Sequence, residues 1–161
     1  MKNIKFTTIL LLVFVAGFIT AFFVTNNYSK NLNEQKKNIF FNEKKTEGLK
    51  KYIYIISPRD GDDVTSPVKI IFGLKGMGVA PSGIKRKNTG HHHLLINLEK
   101  IPDLNFPLPS NKNLIHFGAG QTETELELKK GVNTLQLILG DYIHKPHETP
   151  LISNRIKINV L

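Results

Sequence analysis

The sequence predicts an all-β domain, an immunoglobulin-like β-sandwich of about seven strands at 52–161, preceded by an N-terminal transmembrane or signal helix. Two observations carry this. From Tyr52 onward, short runs rich in β-branched and aromatic residues alternate with clusters of Gly, Pro, Asn and Asp. No run there holds a helical period, which is the profile of a two-sheet protein. Before Tyr52 the pattern differs: a charge-free apolar run is followed by a polar, Lys- and Asn-rich stretch.

Phe6–Val24 has no charge and is broken only by Thr7, Thr8, Gly17 and Thr20. As a helix, 19 residues would rise about 28 Å, close to the hydrocarbon thickness of a bilayer. The segment 1–24 is therefore a signal peptide or an uncleaved signal anchor. Length favours the anchor, because Phe22-Phe23-Val24 continues the apolar run past the mediocre cleavage site Ile19-Thr20-Ala21. Lys2 and Lys5 favour a cytoplasmic N-terminus, with the remainder on the extracytoplasmic side. The expected location is the cell envelope, anchored in the inner membrane or released to the periplasm. Residues 25–51 read as a polar linker, either a tether or a frayed juxtamembrane helix.

In the third segment, 52–161, Tyr52–Ser57 is a strand by composition, closed by the turn Pro58–Asp62. Val68–Leu74 places Val68, Ile70, Phe72 and Leu74 on one side. After a long Gly/Pro loop comes the strand His91–Leu98. A loop with three prolines, Glu99–Lys112, leads to the short strand Leu114–Phe117. Glu123–Leu128 alternates strictly, with Thr124, Leu126 and Leu128 opposite three glutamates. Val132–Leu139 follows the Lys130-Gly131 turn. Ile152–Val160 closes the domain, with Ile152, Ile156, Ile158 and Val160 expected on one face.

Charge excludes one function class. The chain carries +9 overall. Nine Lys against three Glu in 1–52 give +6, which leaves +3 for 53–161. The β-domain is thus only mildly basic and presents no nucleic-acid footprint. With no cysteine there is no disulfide framework and no thiolate metal site.

The centre of the domain has a composition of its own. Residues 73–150 hold nine of the twelve glycines, six of the eight prolines and all six histidines. Imidazole is the commonest metal ligand and suits zinc, copper and nickel. Strand alternation places His91 and His93 on one face, about 6.6 Å apart along the chain, while His92 joins Leu94, Ile96 and Leu98 on the other. His116 ends a short strand. His144 and His147 share a proline-stiffened loop. A copper or zinc site built from His91, His93, His116, His144 and His147 is the first expectation. His92, Gln121, Glu123 and Asp141 would then orient ligands or fix loops.

The alternative is a metal-free scaffold that holds a cell-envelope polymer or protein partner on its long loops. Its histidines would be paired to Asp141, Glu123 and carbonyls, and Phe106, Leu108 and Tyr142 would be exposed. The sequence lacks a HExxH helix and a GxSxG elbow, so a binding protein rather than an enzyme is expected. The membrane is a further partner through Phe6–Val24 if that segment is retained.

Four ordered motifs point to a family. Gly73–Pro81, Asn88–Ile96, His116–Glu123, and Leu137–Asp141 followed by His144-x-x-His147 together resemble a bacterial family of exported domains, domain of unknown function 4399. The resemblance spans about residues 55–160 and implies an exported β-domain without assigning an activity. The family pattern has two prolines after the second histidine of the last motif. Here His147 is followed by Glu148-Thr149-Pro150.

Overall fold

The computed structural model of the chain describes residues 23–41 and 50–161. Contacts divide the chain into two compact units, Met1–Glu47 and Gly48–Leu161. In the first, residues 23–41 are helical. The expected membrane span Phe6–Val24 lies outside the described residues apart from Phe23 and Val24. Among the described residues no helix is long and apolar enough to cross a membrane.

The second unit is all-β. Its longer strands are β1 (Tyr52–Ser57), β3 (Val68–Lys75), β5 (Thr89–Ile96), β6 (Leu114–His116), β7 (Glu123–Leu126), β8 (Gly131–Gly140) and β9 (Ile156–Val160). Two further strands of two residues each, β2 (Asp63–Val64) and β4 (Gly78–Val79), bring the total among the described residues to nine. Such short pairings carry no periodicity and leave no trace in a sequence pattern.

The strands form two sheets. One has the order β1-β3-β7 and the other β2-β9-β8-β5-β4, with β6 also paired to β5. Residues from both line one shared core. Ile53, Val68, Ile70 and Phe72 come from the first sheet; Leu94, Ile96, Leu135, Leu137, Leu139, Ile158 and Val160 come from the second. Two sheets burying their apolar faces against each other is the arrangement of a β-sandwich.

The second sheet is also covered on its other face. Leu95, Leu114 and Ile138 pack there with Leu108 of the proline-rich loop, with Leu98, Leu104 and Ile152 around them. This corrects two expectations. Ile152 does not share a face with Ile156, Ile158 and Val160, because the strand begins at Ile156 and Ile152 only bridges Ile138. Leu98 leaves the face of Leu94 and Ile96, because β5 ends at Ile96 and Asn97 turns the chain at a φ of 54°.

This double coverage positions the site. β5 reads Thr-Gly-His-His-His-Leu-Leu-Ile and is buried on both faces from Gly90 onward. It pairs antiparallel with β8 along His91–Ile96, and with β6 at His93–Leu95. Its histidines are therefore interior residues.

A candidate metal centre on the outer face of the second sheet

Alternation along β5 sends His92 to the shared core and His91 and His93 to the opposite face. His92 lies against Phe72, with ring centroids 5.1 Å apart. Its Nδ1 stands 3.2 Å from the Gln121 carbonyl, so the Nδ1–H tautomer donates there. Burial lowers its pKa, so the ring is neutral near pH 7, and its buried Nε2 has no partner.

On the opposite face the β5–β6 register sets His116 directly beside His93. Ring centroids are 4.8 Å apart for His91–His93, 4.9 Å for His91–His116 and 5.1 Å for His93–His116. Ligand nitrogens of all three lie within 4.8 Å of one another. Four nitrogens around zinc at 2.0–2.1 Å stand about 3.4 Å apart, so these rings need turn inward by only about 1 Å.

Glycines make the room. A Cβ on Gly118 would fall 2.2 Å from Cε1 of His116, and one on Gly140 would fall 2.6 Å from Cε1 of His93. Both glycines adjoin the histidine segments in sequence, within His-Phe-Gly and Leu-Gly-Asp.

His144 closes the group from above. Its ring centroid lies 4.5 Å from that of His116 and 5.1 Å from that of His91. It sits in the left-handed region, at φ 70°, inside a turn built by Asp141. Oδ1 of Asp141 accepts from the backbone N–H groups of Ile143 and Lys145, and the Asp141 carbonyl accepts from that of His144. Nε2 of His144 is 3.1 Å from Oγ of Ser82.

Ser82 belongs to a strap stitched to all three histidine-bearing segments. The N–H of Ala80 donates to the Gly90 carbonyl, that of Ser82 to the Gly118 carbonyl and that of Gly83 to the Tyr142 carbonyl. No feature of residue type or spacing singles out Ser82 in the sequence.

The triad's buried nitrogens lack partners. His91 and His93 have no accessible surface, and neither nitrogen of either ring makes a hydrogen bond of good geometry, although the His91 backbone lies close enough to the His93 ring to oppose part of its pKa depression. Nε2 of His116 is buried and likewise without one. Desolvation, reinforced by neighbouring imidazoles, pushes His91 down to about 4 and His93 to about 3. Desolvation lowers His116 too, with His144 adding to the effect. Neutral rings keep a lone pair free for coordination at pH 7.

The remaining candidates stand apart. His147 lies past the Gly140–Pro146 bridge and makes no ring contact with the cluster. Its buried Nε2 has no partner, and desolvation lowers its pKa. Glu123 pairs with Lys69 across β3 and β7 at 3.1 Å, on the exposed side of the other sheet. Gln121 serves His92 through its backbone, and its Oε1 accepts from the N–H of Ala119. Asp141 shapes the turn and adds negative potential near His91. Of the three residues expected on an exposed loop surface, Phe106 is exposed and Tyr142 half-buried under Lys85, whereas Leu108 is buried. The apolar sheet face beneath the proline-rich loop draws Leu108 in.

A family model, Domain of unknown function (DUF4399), matches residues 70–161. The chain belongs to that family. The match takes in all six histidines, Gly118, Gly140 and the Ser82 strap, and begins after β1. No curated protein and no solved structure matches the chain.

Proposed function

We propose that this DUF4399 domain is an extracytoplasmic metal-binding module that takes a copper or zinc ion on His91, His93 and His116. The observation that carries the reading is the convergence of two buried imidazoles and a half-buried third, five of whose ring nitrogens are buried without a hydrogen-bond partner. A native fold rarely leaves such atoms unsatisfied without a ligand or a water to meet them. The chemistry of the donor set narrows the ion. With neutral nitrogen donors and neither thiolate nor carboxylate in the triad, hard calcium and magnesium are disfavoured and the Cu²⁺/Zn²⁺ class is preferred.

The sandwich, read as immunoglobulin-like, supplies strands β5 and β6 as rigid supports for all three ligands. Placement at the extracytoplasmic face of the inner membrane, through an anchor at Phe6–Val24, completes the proposal. It rests on the length of that apolar run and on Lys2 and Lys5.

The test is metal content and titration of the full-length chain, purified without a histidine tag and dialysed against chelator. Stoichiometric Cu²⁺ or Zn²⁺ uptake that His116→Ala loses supports the reading. Uptake equal in wild type and variant removes it. The loops would then be searched for a polymer or protein partner instead.

A further inference from the structure

Resting on the metal-binding reading, we infer that His144 is the closing ligand of the site and that Ser82 is its latch. The ion would be held by four imidazoles, with no coordination position left for water or substrate. The chemical class implied is a divalent borderline cation as bound cargo or structural ion, because catalytic sites of this type keep an open position.

Three features support it. The His144 ring already stacks edge-on against the triad, 4.5 Å from the His116 centroid and 5.1 Å from that of His91. Its backbone is fixed by the Asp141 turn, and its carbonyl accepts from the Leu108 N–H, so bringing it to an ion requires rotation of the side chain alone. What keeps Nε2 outside the triad is a single contact, 3.1 Å to Oγ of Ser82. His91 and His93 are sealed below by the sheet, so His144 and the Ser82 strap form the side from which an ion would arrive. Exchange of the serine hydroxyl for the metal gives that side two states, closed over nothing and closed over an ion.

The latch also accounts for Ser82 itself. Its backbone N–H is already used to tie the strap to Gly118. The hydroxyl is therefore an independent contact, whose removal leaves the strap in place.

Co²⁺ loading of the full-length chain tests this, because its visible bands report coordination number and respond to added ligands. Wild type should show four-coordinate bands unchanged by azide. His144→Ala should still bind cobalt, roughly 10- to 100-fold more weakly, and its bands should shift when azide or free imidazole fills the gap. Ser82→Ala should bind about 2- to 10-fold more tightly, since one neutral hydrogen bond no longer competes. Azide shifts in wild type as large as in His144→Ala overturn the inference while leaving the triad as a metal site. Weaker binding by Ser82→Ala overturns the latch, making Ser82 a residue that positions His144. Failure of both wild type and Ser82→Ala to bind cobalt, copper or zinc overturns the metal reading and this inference with it.

Discussion

Gly118→Ala should cripple the site without removing any ligand. A Cβ at this position would lie 2.2 Å from Cε1, 2.5 Å from Nε2 and 3.2 Å from Nδ1 of His116. Ordinary carbon contacts begin near 3.5 Å, so the ring must retreat by about 1.3 Å. Coordination tolerates only about 0.2 Å around ideal metal–nitrogen distances, so the third ligand is lost as surely as if it were deleted. The clash is with a side chain that is only half-buried, so the ring can swing toward solvent and the fold should lose less than about 1.5 kcal/mol. Affinity for Cu²⁺ or Zn²⁺ should fall by about 100-fold, or about 2.7 kcal/mol. Competition titration against a chromogenic chelator measures it, with urea unfolding run in parallel. Gly78→Ala is the control, because its Cβ would meet Thr89 Cγ2 at 3.4 Å, an ordinary contact. Wild-type affinity in Gly118→Ala would refute the claim that the observed His116 position is what binds the ion.

Two further outcomes follow from the same geometry. In chelator, stability should depend on pH through His91 and His93, which titrate at 6.5 unfolded and at about 4 and about 3 when folded. Below 6.5 the unfolded chain takes up protons that the folded one refuses. Stability is therefore full above that pH and falls as the pH drops toward 4, and urea midpoints that decrease from pH 7.5 through 6 to 5 test it. His92→Leu should leave metal affinity within about threefold of wild type, because that ring lies on the opposite sheet face. It should cost about 1 kcal/mol for the lost hydrogen bond to the Gln121 carbonyl, and a drop in affinity like that of His116→Ala would show that the two faces communicate.

How far the sequence speaks follows from which signals are periodic. Strand alternation alone separates His92 from His91 and His93, because the period is two whatever the side chain. It also marks β7, where Thr124 and Leu126 oppose Glu123 and Glu125. Periodicity fails where an element is too short or where a face changes without a strand. β2 and β4 are two residues each, and Leu98 and Ile152 cross to the outer cluster just beyond strand ends. Contacts between distant segments are a third kind of information. Nothing in residue type ties Ser82 to His144, 62 positions away, or separates His147 from His144 three residues earlier. The glycines occupy middle ground. Gly118 and Gly140 flank histidine segments visibly, but only register shows that they leave space for rings rather than turn the chain.

The cost of the cluster argues that it is kept for a ligand, and His93→Leu measures that cost. His93 shares its sheet face with Leu95, Leu114 and Ile138, which pack together as an apolar cluster. A leucine at 93 would extend that cluster with a side chain of similar volume. The imidazole instead buries two nitrogens that make no hydrogen bond of good geometry, at about 1–3 kcal/mol for an unsatisfied group. The metal-free variant should therefore be as stable as wild type or up to about 2 kcal/mol more so, against the usual rule that core substitutions destabilise. In wild type an ion at a hundredfold excess over its Kd should add about 2.7 kcal/mol, and in His93→Leu this gain should vanish. Urea unfolding with and without Zn²⁺ gives both numbers. If metal-free His93→Leu is less stable than wild type by more than about 1 kcal/mol, the ring makes favourable polar contacts in the folded protein. The histidines would then be part of the scaffold, and the case for a metal centre would lose its main support.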